Sequence, residues 1–251
     1  MVHLPPRILP AVFLLLALAG SPVQAGKWKE AFTRAIKDPD TWAPTAAAAA
    51  IAVSGTDKEI AEWAVRRTPV FGSVEAAKTA GDRLRQASDV GMAATSLFLT
   101  RDRGQPGFKS RALYTGVGYL GAIVSDGTTG SFKGVTHRPR PDGSNTRSFP
   151  SGHTSRAFAY AAFSHRSLKE SNLPKAARVG LRWGFTGLAA GTGWSRVEAG
   201  AHYPTDVLFG AGLGNFSGRF VSELILGPES STQLSFDLNP EQPQVMLAWS
   251  F

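Results

Sequence analysis

The sequence predicts an all-α protein with a short β-hairpin at its C-terminal end. Three observations lead there. From Lys27 to Ile225 apolar residues recur at helical spacing, in segments separated by proline, glycine and serine breaks. Alternation of apolar and polar residues begins only at Gln233. Between Lys133 and Asp206, finally, cations, imidazoles and hydroxyls stand in three clusters that a helical scaffold must bring together.

The segments follow in order. Met1 to Ala25 has Arg7 in a short leading region, an apolar run from Ile8 to Ala19, and Val23-Gln24-Ala25 as a small-residue cleavage site. It reads as a secretory signal peptide, because the run falls short of the ~20 residues that span a bilayer. An uncleaved anchor is the alternative. In Lys27 to Asp38, Trp28, Phe32 and Ile36 recur every fourth residue among basic side chains, giving an amphipathic helix stopped by Pro39. Docking on the core is the simpler role for that face, with peripheral membrane contact as the other. Ala46 to Val53, Asp57 to Arg67 and Ser73 to Leu99 are the next helices, the last broken near Ser88-Asp89. Ser110 to Lys133 is a long helix whose Gly116, Gly118 and Gly121 permit close packing. These glycines follow no strand and so form no nucleotide loop. Thr154 to Ser167, Pro174 to Thr192 and Tyr203 to Ile225 complete the helices. The hairpin pairs Gln233 to Leu238 with Val245 to Phe251 across a turn at 239–243. Domains are therefore expected at 1–25 (leader), 26–226 (helical) and 227–251 (hairpin extension).

Composition narrows the function. The chain is 43% hydrophobic and 18% charged, with a formal net charge of +8. Removing the leader takes only Arg7 with it. There is no block of lysine and arginine and no reader module, which argues against nucleic acid. A basic surface suits phosphate esters or anionic lipid headgroups better. The absence of cysteine rules out disulfides and thiol chemistry. Beyond the leader no segment approaches eighteen continuous apolar residues, so a secreted, periplasmic protein is expected, soluble or peripherally attached, with integral attachment as the alternative.

The three clusters carry the chemistry. Lys133-x6-Arg140-Pro141 and Ser195-Arg196 supply three permanent cations, a set suited to a multiply charged oxyanion such as phosphate. Pro150-Ser151-Gly152-His153 reads as a corner into a helix, with Ser151 able to cap, Gly152 allowing close backbone approach, and free amides favouring an anion. His153 beside that anion is placed to protonate a leaving oxygen. His202 and Asp206, four apart with Pro204 between them, fall on one face at a helix start. A carboxylate there can accept from one ring nitrogen and leave the other free to attack. No carboxylate cluster suited to magnesium or zinc accompanies them, so neither metal nor cofactor is expected.

These motifs, together with Ala201-His202-Tyr203-Pro204-Thr205-Asp206-Val207, resemble the signature of the type 2 phosphatidic acid phosphatase / vanadium haloperoxidase superfamily. The resemblance extends from about Trp42 to about Leu226. It implies a six-helix-type bundle and metal-free phosphoryl transfer through a phosphohistidine. His202 would be the nucleophile, Asp206 its orienter and His153 the general acid, with Lys133, Arg140, Ser151, Gly152 and Arg196 holding the phosphoryl oxygens. The substrate would be a phosphorylated small molecule or lipid. A vanadate-dependent haloperoxidase, or a non-catalytic binder of anionic lipid, are the alternatives; two aligned imidazoles are more than a binder needs. Two departures from the family pattern are the short link from Pro141 to Pro150 and the acidic Glu198. Both bear on the shape of the substrate entrance.

Overall fold

The computed structural model describes residues 22–99, 107–227, 231–237 and 244–250. The expected leader lies outside these apart from its last four positions. Eight helices follow one another: α1 (Pro22–Ile36), α2 (Pro39–Ser54), α3 (Asp57–Arg67), α4 (Val74–Phe98), α5 (Gly107–Thr136), α6 (Gly152–Glu170), α7 (Lys175–Glu198) and α8 (Pro204–Leu226). The six-helix expectation is therefore corrected to an all-α bundle of eight described helices. No strand belongs to that bundle. In the tail, β1 (Ser231–Asp237) pairs antiparallel with β2 (Gln244–Ser250) in a register joining Ser231 to Ser250 and Asp237 to Gln244. These bounds differ from the expected ones at both strands. The expected fold class is corrected to an all-α bundle, of which the hairpin is not a defining element.

Several helix ends differ from the sequence reading for local reasons. α1 ends at Ile36, ahead of the extended Asp38 that precedes Pro39; Pro39 itself occupies the first turn of α2, where its missing N–H is not needed, and Asp38 caps that turn by accepting from Asp40 N at 2.8 Å. α2 therefore starts well before Ala46 and carries Pro44 inside it. α4 runs unbroken through Ser88, whose hydroxyl donates back to Leu84 O at 3.0 Å. α7 runs on past Thr192 to Glu198, which puts Ser195 and Arg196 on a helix. The apolar face of α1 docks only in part: Ala31 and Ala35 are buried and Trp28 and Phe32 pack on Phe220 and Phe216 of α8, while Phe32 and Ile36 remain 51% and 45% exposed.

The centre of the bundle is the contact between α6 and α8. Its closeness comes from glycines four residues apart. A Cβ at Gly210 would lie 2.9 Å from Ser151 O and one at Gly218 would lie 2.6 Å from Ala159 O, while one at Gly214 would run into Ser155 O. Ser151, Ser155 and Ala159 are themselves small and four apart, so the two backbones meet along several turns. Around this pair, Met92, Tyr114, Val117, Phe163 and Val221 form the largest apolar cluster. Of the three glycines on α5 singled out by sequence, Gly118 and Gly121 face Met92 and Gly218, whereas Gly116 faces open space. Among the described residues no helix is long and apolar enough to cross a membrane.

The packing separates two kinds of glycine. Gly214→Ala forces the central pair apart and is expected to cost about 2–3 kcal/mol, from overpacking against rigid backbone. Gly116→Ala, on an exposed helical position, is expected to stabilise by about 0.5–1 kcal/mol. Denaturant unfolding of the two variants against wild type checks both signs.

Candidate active site

The close approach of α6 and α8 brings their N-terminal ends together. Ser151 N donates to Asp206 O at 3.0 Å, fixing the corner before α6 to the first turn of α8. The loop from 137 to 150 closes over this junction. It leaves α5 through His137, held at φ 44°, a left-handed conformation that costs a non-glycine residue about 1–2 kcal/mol. The chain then turns back through Ser148 N to Arg138 O (2.9 Å) and Arg140 N to Asn145 O (2.9 Å). Asp142 N reaches Gly200 O at 3.0 Å, tying the short link to the segment that carries His202.

His202 is almost fully buried, and its orientation differs from the sequence reading. Its Nδ1 lies 2.6 Å from the carbonyl oxygen of Ser148, which can only accept, so Nδ1 carries the proton and Nε2 the free lone pair. Asp206 Oδ2 is 3.8 Å from the same nitrogen, too far for a hydrogen bond. The direct orienter is thus Ser148, and Asp206 acts one step behind it. Its Oδ2 accepts from Ser148 Oγ at 2.5 Å and from Tyr203 N at 2.8 Å, and its Oδ1 accepts from Arg138 Nη1 at 2.6 Å. Burial pushes His202 down to about 4 against the opposing pull of Asp206, and nearby Lys133 and Arg140 push the same way as burial. The ring is neutral over most of the accessible pH range.

Lys133 and Arg140 act on this ring, and Arg196 lies near both of them. Lys133, in the last turn of α5, is pushed down to about 8 by burial first and by Arg140 next. Arg196, in the last turn of α7, is lowered by burial, with Asp82 acting against it and Arg140 with it. Lys133 Nζ donates to Arg147 O at 2.5 Å. The Nε atoms of Arg140 and Arg196 are buried and have no protein partner. No carboxylate is paired with any of the three among the described residues, so their charge is turned toward the space beside His202.

The remaining expected residues line the same space with adjusted roles. Ser151 precedes α6 but makes no side-chain capping bond; its oxygen accepts from Thr154 Oγ1 at 2.8 Å, leaving its own proton available. The first amides of α6 are therefore uncapped. A Cβ on Gly152 would touch only Thr129, at an ordinary 3.6 Å, so the protein itself does not require glycine there. Ser195 is absorbed structurally, donating to Thr192 O at 2.6 Å. His153 stands at the rim with Nε2 2.8 Å from Asp82 Oδ1. Burial and then Arg196 lower its pKa, against the raising influence of Asp82.

Four supporting groups escaped the sequence reading. Arg138, inside the first motif, bridges Asp206 and Asp57 (both 2.6 Å) and lies 4.2 Å over the Tyr203 ring. Asp57, at the start of α3, accepts from Thr205 N at 2.9 Å and Thr205 Oγ1 at 2.6 Å. Asp82 reaches His153 because Gly81 beside it has no side chain; a Cβ there would lie 2.5 Å from Ser195 Oγ. Ser148 is the fourth. A basic residue within the first motif and a serine just before Pro150 were visible signals, whereas Asp57 and Asp82 sit far from any motif. Glu198, the acidic departure, is fully buried and satisfied: it accepts from Val70 N (2.9 Å), Phe71 N (3.0 Å) and Trp194 Nε1 (2.6 Å), and so anchors the α3–α4 loop beside the site. Among the described residues no group of three or more histidine, cysteine, aspartate or glutamate side chains could hold a metal ion.

The family model described as the PAP2 superfamily matches residues 115–226, which contain every residue of the three motifs. A lipid A 1-phosphatase of Porphyromonas gingivalis is 37% identical over 109 residues; the match covers 42% of this chain and 23% of that protein, so the chain spans under a quarter of the relative's length. A solved structure of a transmembrane PAP2-type phosphatidylglycerolphosphate phosphatase from Bacillus subtilis superposes with a TM-score of 0.48 at 25% identity, over 70% of this chain and 88% of the other.

The Arg138 bridge yields a test that needs no substrate. Arg138→Ala leaves the carboxylates of Asp57 and Asp206 without their shared cation and is expected to destabilise the fold by about 3 kcal/mol. Combining it with Asp57→Asn removes one stranded charge and should recover part of that loss. Thermal unfolding of the single and double variants measures the coupling.

Proposed function

We propose that the chain, whose residues 115–226 match the PAP2 superfamily model, is a phosphatase that hydrolyses phosphate monoesters or diphosphates through a phosphohistidine on His202. The observation that carries this reading is the ring of His202. Its proton is committed to Ser148 O, its pKa is driven to about 4, and Lys133 and Arg140 act on it, with Arg196 close to both of them.

The proposed cycle has two displacements. Lys133, Arg140 and Arg196 hold the phosphoryl oxygens together with Ser151 and the amide of Gly152, neutralising charge on the equatorial oxygens. Nε2 of His202 attacks phosphorus in line, the bond to the leaving oxygen breaks, and His153 gives that oxygen a proton. Neutral His153 then takes a proton from water, whose oxygen attacks phosphorus. The bond to Nε2 breaks and inorganic phosphate leaves. Asp82 stabilises the imidazolium of His153, while Asp206 secures His202 through Ser148. The protein cations supply the charge that a divalent ion supplies elsewhere, so no metal is assigned to the reaction.

For the substrate we propose a lipid-linked phosphate. The lipid A 1-phosphatase name supports it, and so does the net charge of +8. We read residues 1–25 as a signal peptide, 26–226 as the phosphatase domain and 227–251 as a C-terminal extension. The protein would then be exported across the inner membrane to the periplasm, with peripheral membrane contact.

Phosphate trapped by acid-free quenching should sit on His202 and vanish in His202→Ala, whose turnover should fall by about 10⁴-fold. Phosphate found on a serine instead would overturn the mechanism. The pH profile follows from the two imidazoles. His202 loses its nucleophilic form only as pH falls through about 4, and His153 loses its proton as pH rises through a value below its usual 6.5. A bell in kcat/KM with its maximum on the acid side of 6.5 is expected. His153→Ala should remove the limb that falls below 6.5, leaving only the decline near 8 that belongs to Lys133, and should spare nitrophenyl phosphate, whose leaving group needs no proton.

A further inference from the structure

The opposite ends of α6, α7 and α8 enclose a second feature. A cavity of about 510 Å³ opens there, with Arg166 and Lys169 from α6, Lys175, Arg178 and Arg182 from α7, and Arg219 from α8 among its walls. Arg166 lies thirteen residues along α6 from His153, so the cavity sits about 20 Å from the phosphoryl site at 1.5 Å per residue. No residue of the three motifs reaches it.

Its charge is only partly matched. Arg166 pairs with Glu170 (3.1 Å) and Glu223 (3.3 Å), Arg182 with Asp40 (2.7 Å), and Arg219 with Asp38 (2.9 Å). Lys169, Lys175 and Arg178 have no ion pair among the described residues; Arg178 donates only to Lys169 O, at 3.3 Å. The Nε of Arg166 is buried without a hydrogen-bond partner. The N-terminal end of α7 opens beside these groups, and its N-cap residue, Pro174, makes no side-chain cap, so its first amides add positive potential. Leu168 and Val179 are the only aliphatic side chains in the lining, which points to a polar ligand. The volume falls within the ~300–1,000 Å³ of small-ligand sites.

We propose that this cavity binds a ligand bearing a diphosphate or two neighbouring phosphate groups, gripped by Lys175, Arg178 and Lys169 and backed by Arg166. Guanidinium forks and uncapped amides are the groups that recognise phosphate oxygens. The same chemistry is offered by a soluble diphosphate and by the headgroups of an anionic bilayer. Val179 and Trp183, 46% and 70% exposed on the α7 face beside the cavity, are placed to enter such a bilayer. The site is independent of the reading of His202 as nucleophile.

The test uses the full chain carrying Arg196→Ala, which weakens the phosphoryl site. Calorimetric titration with inorganic pyrophosphate and sedimentation with phosphatidylglycerol or phosphatidylcholine vesicles separate the two sources. Saturable pyrophosphate binding, weakened at least ~10-fold by adding Lys175→Ala and Arg178→Ala, supports the site for a soluble ligand. Sedimentation with phosphatidylglycerol alone, lost in the same variant, supports it for a headgroup. An unchanged melting temperature shows that the fold survives; Lys175→Gln alone serves if the pair unfolds. Binding to neither probe, or binding that persists in the substituted cavity, overturns the proposal.

Discussion

The carboxylate of Asp206 has no exposed surface, and burying a charge there is tolerable only because every side of it is met by a donor. Arg138, Ser148 and the Tyr203 amide surround it, and each of these belongs to a different piece of the site. Through Ser148 the carboxylate fixes the corner that orients His202. Through Tyr203 N it fixes the first turn of α8, and through Arg138 it reaches α3. A group of this kind cannot be moved singly, because each displaced donor leaves a buried charge underpaired. Its pKa is lowered despite burial, since the hydrogen bonds and Arg138 together outweigh desolvation. The carboxylate therefore stays ionised at any pH at which His202 is neutral.

This hub needs the helix ends to meet, which is the work of the small residues between α6 and α8. Side chains larger than hydrogen at Gly210, Gly214 and Gly218 would wedge the axes apart and lengthen the contact between Ser151 N and Asp206 O. The corner before α6 and the core are thus one mechanical problem: the tightness of packing several turns away sets the distance between that corner and His202. Glu198 performs a similar service on the other flank, holding the α3–α4 loop to the last turn of α7 next to Arg196.

The motifs were legible because they are local. Lys133 to Arg140, Pro150 to His153 and Arg196 to Asp206 each declare themselves within a few residues, and all of them gather in one place. The helical character was equally plain from periodicity. What sequence could not supply was the identity of His202's partner. Four-residue spacing made Asp206 the natural candidate, but a backbone carbonyl, which has no signature in a sequence, took the nearer position. Asp57 and Asp82 are invisible for a related reason, since their roles arise only when α3 folds against α8 and α4 against α6. The start of α2 is hidden because Pro39 reads as a stop and also opens the next helix, so periodicity alone places that helix no earlier than Ala46.

Lys133 carries one further consequence. Its value near 8 comes from burial first and from the neighbouring Arg140 next, against the opposing pull of Asp206. A phosphate placed there reverses the balance and favours the ammonium form. Around pH 8, ligand capture by this lysine is accordingly coupled to uptake of a proton from solvent. The affinity of the site for anions declines above that pH even where the anion's own charge has stopped changing.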